Sequence, residues 1–199
     1  MATTETPAPR VAIVTGGSRG IGRSVVQRLA GDGYWVVVGY GSNQAEADAA
    51  VAEAEAAGAK ATAVAADVAD PGAVARLFDQ AEEAFGGIDV VVNAAGLMSL
   101  VPLVDFDLDV LDRMLRTNIN GTFAVDQQAA RRVRPGGAII NFSSSVIGRV
   151  LPTYTGYAAS KAAVEAMTFI LAHELRGRDV TVNAVAPGPT ATDMFLEGK

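Results

Sequence analysis

The sequence predicts an open, doubly wound α/β domain with a parallel sheet, and three features predict it. Short β-branched runs alternate with longer Ala-rich helical stretches along the whole chain. The runs are apolar continuously rather than in alternation, as strands buried on both faces must be. The first run passes directly into a glycine-rich turn that opens a helix.

The strand candidates are Val11–Val14, Trp35–Gly39, Ala61–Ala65, Ile88–Asn93, Ala138–Phe142 and Val180–Val185. Between them, helical patterns run over Ile21–Ala30, Ala45–Ala57, Gly72–Phe85, Leu108–Arg132 and Tyr157–Leu175. Strand, helix, strand repeated along one chain implies right-handed crossovers between parallel strands. Gly31-Asp32-Gly33, Gly58, Gly86-Gly87 and Pro135-Gly136-Gly137 punctuate helix ends. No linker divides the chain, so residues 10–199 read as one domain behind a loose polar tail at 1–9. The stretch at 45–57 reads as a plain amphipathic helix with a solvated outer face.

Composition narrows the function classes. The 199 residues are 50% hydrophobic and 19% charged, with a net charge of −6. That balance is globular and speaks against nucleic-acid binding, which needs Lys and Arg against phosphates. There is no cysteine, which removes disulfides and thiolate chemistry and fits a cytoplasmic enzyme. The polar start has no apolar core, so neither a signal peptide nor a membrane span is expected there. A single His, His173, reads as a solvated helix residue, and no metal site is expected. No Gly-x-Ser-x-Gly elbow is present, so the serines do not suggest a hydrolase.

The turn is Thr15-Gly16-Gly17-Ser18-Arg19-Gly20-Ile21-Gly22. Glycines at 16, 20 and 22 let the backbone turn sharply and approach a pyrophosphate, and the helix N-terminus then attracts the anion. The second strand leads into Tyr40-Gly41-Ser42-Asn43, with no acid to meet a ribose 2′-hydroxyl. An absent acid and the nearby Arg19 favour NADP(H) over NAD(H). Asp67, followed by Val68 after the third strand, either accepts from an adenine amino group or simply starts the next turn.

Tyr157 and Lys161 are four apart on a helical pattern and share one face. A phenol titrates near pH 10, and a cation beside it lowers that value, so Tyr157 can exchange a proton with a carbonyl or alcohol oxygen. Upstream, Ser143-Ser144-Ser145 follow the fifth strand, where a hydroxyl can stabilise developing charge or merely make a turn.

Together these pieces resemble the short-chain dehydrogenase/reductase family, especially its 3-oxoacyl-(acyl-carrier-protein) reductase-like members. Four motifs stand in the family's order from Val11 to Glu197: Thr15 to Gly22, Asn93-Ala94-Ala95-Gly96, Tyr157-Ala-Ala-Ser-Lys161, and Pro187-Gly188-Pro189-Thr190. The resemblance implies a Rossmann-type sheet of order 3-2-1-4-5-6 and reduction of a ketone, such as a 3-oxoacyl thioester, to a secondary alcohol with NADPH. It makes Tyr157 the acid–base and Lys161 the residue that tunes it and holds the nicotinamide ribose. It makes Asn118 the holder of a proton-relay water and Ser145, ahead of Ser144, the catalytic serine, because Ser145 stands three residues before a glycine. The spacing from Ser145 to Tyr157 is one short of the commonest pattern. Cofactor contacts would come from Gly16, Ser18, Arg19, Gly20, Ile21, Gly22, Tyr40, Ser42, Asn43, Asp67, Val68, Asn93, Ala94, Gly96, Pro187, Gly188 and Thr190. Leu97, Met98, Leu100 and Val101 would wall an apolar substrate pocket.

A sugar or small cyclic alcohol dehydrogenase, and a truncated non-catalytic dinucleotide-binding scaffold, are the alternatives. The resemblance also implies a tetramer formed through the helices at 108–132 and 157–175. It further implies a lid and a seventh strand beyond Lys199, so the chain is expected to be incomplete and its sixth strand an exposed edge.

Overall fold

A computed structural model describes residues 9–197, with the side chain of Glu197 outside that description. The expected tail at 1–9 therefore lies almost wholly outside the described residues. Six strands form one parallel sheet in the order β3-β2-β1-β4-β5-β6, as expected. They are β1 Val11–Thr15, β2 Trp35–Tyr40, β3 Ala61–Ala65, β4 Ile88–Asn93, β5 Val133–Phe142 and β6 Val180–Val185. The helices are α1 Gly20–Gly31, α2 Gln44–Ala56, α3 Pro71–Phe85, α4 Leu108–Leu115, α5 Thr122–Arg132, α6 Thr155–Glu174 and α7 Asp193–Glu197.

Alternate residues of the strands build two separate cores. Ile13, Val37, Val91 and Ile139 face α3, α5 and α6 and pack with Leu77, Phe78 and Val125. Ala12, Val14, Val36, Val38, Val90 and Val92 face α1 and α2 and pack with Val26, Ala47 and Ala50. The central strands β1 and β4 are buried throughout, which explains their unbroken apolar sequence. In α2, Ala47, Ala50 and Ala54 are fully buried while the charged residues lie outside, the plain amphipathic helix expected.

Two elements differ from the sequence reading. The helix expected over Leu108–Arg132 is interrupted by a π-helical segment, Arg116–Gly121, between α4 and α5. Such a segment inserts an extra residue into the hydrogen-bonding turn and re-aims the side chains within it. β5 begins at Val133, not Ala138, and takes in Pro135-Gly136-Gly137, which had read as a helix-ending turn. Its pairing with β4 shifts register between Ile88 and Val90, and Gly136 takes φ +78 there. The turn residues are thus a bulge inside the strand.

Candidate active site

The carboxyl ends of the strands converge on one cavity of about 640 Å³. Its floor is the glycine turn between β1 and α1. Gly16 and Gly20 take φ +65 and +55, values that L side chains rarely adopt. A Cβ on Gly22 would sit 2.1 Å from the Gly16 carbonyl oxygen, and one on Gly16 would sit 2.9 Å from Ala95. The N-cap residue of α1, Arg19, is extended and makes no side-chain capping bond. The first amides of α1 therefore lack a side-chain acceptor and face a tight, Cβ-free cradle, the arrangement an anionic pyrophosphate fills.

Next to this cradle lie Gly41, Ser42, Asn43, Asp67 and Val68. Asn43 caps α2, its Oδ1 accepting from the Glu46 amide at 3.3 Å. Glu46 also borders the cavity, an acid the sequence reading missed because it stopped at Asn43. Asp67 Oδ1 accepts from the Ala69 amide at 2.9 Å, so the carboxylate makes the local turn while lining the cavity.

Three expected cofactor or catalytic residues do not line the cavity. Tyr40 is buried in the α1/α2-side core, because β2 runs one residue further than expected and places it there. Asn93 is buried behind the cavity wall and accepts from Thr15 Oγ1 at 2.9 Å, tying β4 to β1. Thr15 Oγ1 in turn accepts from the Ala95 amide at 3.3 Å, so this pair braces the strand ends that carry Ala94 and Gly96. Asn118 is fully buried in the π segment. Its Oδ1 accepts from the Leu97 amide and its Nδ2 donates to the Leu97 carbonyl, both at 2.8 Å. Nδ2 also donates to Ser160 Oγ at 3.0 Å, and Ser160 Oγ donates to the Tyr157 carbonyl at 2.7 Å. Asn118 thereby pins the loop after β4 to the helix that carries Tyr157.

At the far end, Tyr157 and Lys161 share one face of α6 as expected, with the Lys161 Nζ 5.9 Å from the Tyr157 ring centre. Lys161 is buried and its Nζ donates to the Phe142 carbonyl at 2.8 Å. Burial pushes its pKa down to about 8. Burial pushes the Tyr157 phenol above its ordinary value, a hydrogen bond with Ser144 pulls it back, and the neighbouring Tyr154 phenol adds to the rise. Desolvation outweighs the other influences on the phenol, so burial keeps Tyr157 a neutral acid at pH 7.

The three serines separate. Ser143 donates to Glu165 Oε1 at 2.8 Å. Ser144 is buried and caps the 3₁₀ turn Ser145–Gly148 by accepting from the Val146 amide at 3.4 Å. Ser145, which the family spacing selects, borders the cavity, and its amide donates to the Pro187 carbonyl at 3.0 Å. Pro187, Gly188 and Thr190 line the cavity as expected, and Thr192 lies over Gly20. Leu97 and Met98 line it too, but Leu100 and Val101 do not. Arg149, Leu151, Tyr154, Met194 and Phe195 also line it. Among these Tyr154 was recoverable from its place one turn before Tyr157, whereas nothing in the sequence set Arg149 apart.

An open parallel sheet with a glycine-turn cradle at one strand end and a Tyr–Lys–Ser group at another defines a dinucleotide-dependent oxidoreductase. The short chain dehydrogenase family profile matches residues 10–198, and the chain belongs to that family. A short-chain type dehydrogenase/reductase of Picea abies is 49% identical over 200 residues, covering 96% of this chain and 74% of that protein. The NADPH-dependent aldehyde reductase 2, chloroplastic, of Arabidopsis thaliana is 41% identical over 206 residues, covering 96% of this chain and 76% of that protein. The crystal structure of a short-chain dehydrogenase from Burkholderia cenocepacia J2315 in complex with NADP superposes with a TM-score of 0.91 at 44% identity. That match covers 94% of this chain and 77% of the other. Among the described residues no helix is long and apolar enough to cross a membrane, and no His/Cys/Asp/Glu cluster could hold a metal.

Proposed function

We propose that this oxidoreductase reduces a carbonyl compound to the alcohol with NADPH, Tyr157 supplying the proton. The observation that carries the reading is the single cavity that joins the glycine cradle to Tyr157, Lys161 and the serines after β5. The cofactor is NADP(H), which supplies or accepts a hydride when bound. Gly16, Ser18, Gly20, Ile21 and Gly22 would hold its pyrophosphate, Arg19, Ser42 and Asn43 its 2′-phosphate, and Lys161 and Thr190 its nicotinamide end. The NADP and NADPH in the names of the Burkholderia structure and the Arabidopsis relative support the same choice.

In the reducing direction Tyr157 gives its phenolic proton to the carbonyl oxygen, and the product hydroxyl keeps it. Ser144 donates a hydrogen bond to that oxygen and stabilises the charge gathering on it. We assign Ser144 this role in place of Ser145 because Ser144 borders the cavity with Tyr157 and is the serine that pulls the phenol down against burial. Asn118 holds the Leu97 loop against α6 and so keeps the substrate wall in register with Tyr157.

Leu97, Met98, Val146, Leu151, Met194 and Phe195 make the substrate side mostly apolar, which favours a ketone, an aldehyde or a 3-oxoacyl compound over a sugar. The intact Tyr157–Lys161–Ser144 group speaks against a non-catalytic scaffold. A cytoplasmic tetramer belongs to the same proposal, supported by the exposed Phe123 on α5 and Phe169 and Ile170 on α6. The test is NADPH oxidation with a panel of aldehydes, ketones and sugars, repeated with NADH. The reading predicts turnover of aldehydes or ketones with NADPH and much slower turnover with NADH. Turnover confined to sugars, or a preference for NADH, contradicts it.

A further inference from the structure

We infer that Arg149 is a specificity residue that selects carbonyl substrates bearing a carboxylate, an inference that rests on the reductase reading above. Among the described residues, most arginines are engaged: Arg23 with Glu53, Arg28 with Asp32, Arg132 with Asp79 and Glu82, and Arg134 with Asp89. Arg10 and Arg178 donate to backbone carbonyls, and Arg176 meets His173. Only the guanidinium groups of Arg19, Arg113, Arg131 and Arg149 have no partner of any kind among those residues, and of these Arg19 and Arg149 line the cavity. They stand at opposite ends of it. Arg19 belongs to the glycine cradle, whereas Arg149 follows the turn that Ser144 caps.

The placement of Arg149 is fixed by that turn. Its amide donates to the Val146 carbonyl at 3.0 Å, closing the 3₁₀ turn Ser145–Gly148. Five residue steps at the rise of a 3₁₀ helix put its backbone roughly 10 Å from that of Ser144. The length of an arginine side chain then lets the guanidinium meet a group several bonds away from a carbonyl held at Tyr157. The cavity-lining residues nearest to it in sequence, Val146, Leu151 and Tyr154, carry no negative charge. The acids that border the cavity lie toward the cofactor end: Glu46 and Asp67 near the 2′-phosphate position, and Asp193 beside Thr192, which covers Gly20. An exposed cation at the cavity border, unpaired among the described residues of an acidic protein, fits a carboxylate in a charge-assisted, two-pronged hydrogen bond.

The test compares 4-carboxybenzaldehyde with its methyl ester, which share one carbonyl and differ in one charge. NADPH oxidation gives kcat/KM for each, and calorimetry on the NADP-loaded protein gives each Kd. The wild type is expected to favour the acid at least tenfold, chiefly through KM. In Arg149→Gln that acid-to-ester ratio is expected to collapse at least tenfold, and Arg149→Lys is expected to restore part of it. High salt is expected to erode the preference of the wild type. Equal use of acid and ester by the wild type, or an unchanged ratio in Arg149→Gln, overturns the inference while leaving the reductase reading intact. Arg149-dependent binding of the acid without turnover of either compound supports the carboxylate site and sinks the reductase reading. Absence of a binding preference together with absence of turnover overturns both.

Discussion

Ser144 and Ser145 are neighbours with different work. Ser144 pulls the Tyr157 phenol down against burial, whereas the Ser145 amide ties the turn to the loop after β6. Ser144→Ala should lower kcat by about 10²- to 10³-fold, the usual cost of losing one donor to a developing oxyanion. Ser145→Ala should change it by no more than about threefold, as expected of a side chain outside such a network. Steady-state kinetics of the two variants side by side distinguish them, and a larger loss at Ser145 would restore the assignment the family spacing favours. The sequence carried conflicting information at this point, since the glycine spacing favours Ser145 and the distance to Tyr157 favours Ser144. The fold of the 3₁₀ turn separates the two, Ser144 capping it and Ser145 opening it. The same limit applied to Tyr157 itself: its pairing with Lys161 was readable from the four-residue spacing, but the desolvation that dominates its acidity depends on residues far away in sequence.

The π-helical segment between α4 and α5 is the element that makes the site rigid. Met114 ends the buried face of α4 against Gly156, where a Cβ would meet its terminal methyl at 2.9 Å, so α4 and α6 approach closely. Within the segment the Asn118 amide satisfies both polar groups of the Leu97 backbone, and Thr122 Oγ1 donates to the Asn118 carbonyl at 2.7 Å. Asn118→Ala leaves the part-buried Leu97 amide and carbonyl without side-chain partners and should destabilise the fold by about 1 kcal/mol. It should also raise KM more than it lowers kcat, because it loosens the substrate wall before it touches the chemistry. Urea unfolding and initial-rate kinetics on the same variant check both parts. Strand positions were legible because buried parallel strands have unbroken apolar runs. The π segment was not, because Arg116 to Gly121 continues the helical pattern and its extra residue leaves no periodic mark. The β5 bulge was misread for the converse reason, since Pro-Gly-Gly normally ends an element.

Across the whole molecule, one buried carboxyl couples the fold to pH. Asp126 of α5 accepts from Asn141 Nδ2 of β5 at 2.9 Å, and the same nitrogen donates to Thr168 Oγ1 of α6 at 3.0 Å. Asp126 Oδ1 and Asn141 Oδ1 are both buried without a partner among the described residues. Burial pushes the Asp126 carboxyl up to about 7, with the Asn141 bond pulling the other way. The fold thus retains a proton that the unfolded chain releases near pH 4. Stability contributed by the neutral acid is full below about pH 4, falls as pH rises toward 7, and is gone above it. Asp126→Asn removes that titration while offering Asn141 Oδ1 a donor. The gap in melting temperature between the variant and the wild type should therefore widen in favour of the variant from pH 5 to pH 8. Parallel melting curves across that range would show that Asp126 is ionised throughout. This network was invisible in the sequence, because three ordinary polar residues far apart along the chain meet only when α5, β5 and α6 pack.

The most direct measurement on the central claim is Tyr157→Phe, assayed for NADPH binding by nicotinamide fluorescence and for carbonyl reduction by NADPH oxidation. The substitution removes one oxygen from a half-buried ring and leaves the glycine cradle untouched. Proton donation by a placed side chain contributes about 10²- to 10⁴-fold. The account predicts a fall in kcat within or beyond that range with NADPH affinity nearly unchanged. Turnover close to that of the wild type would contradict it, because the proton would then come from another group.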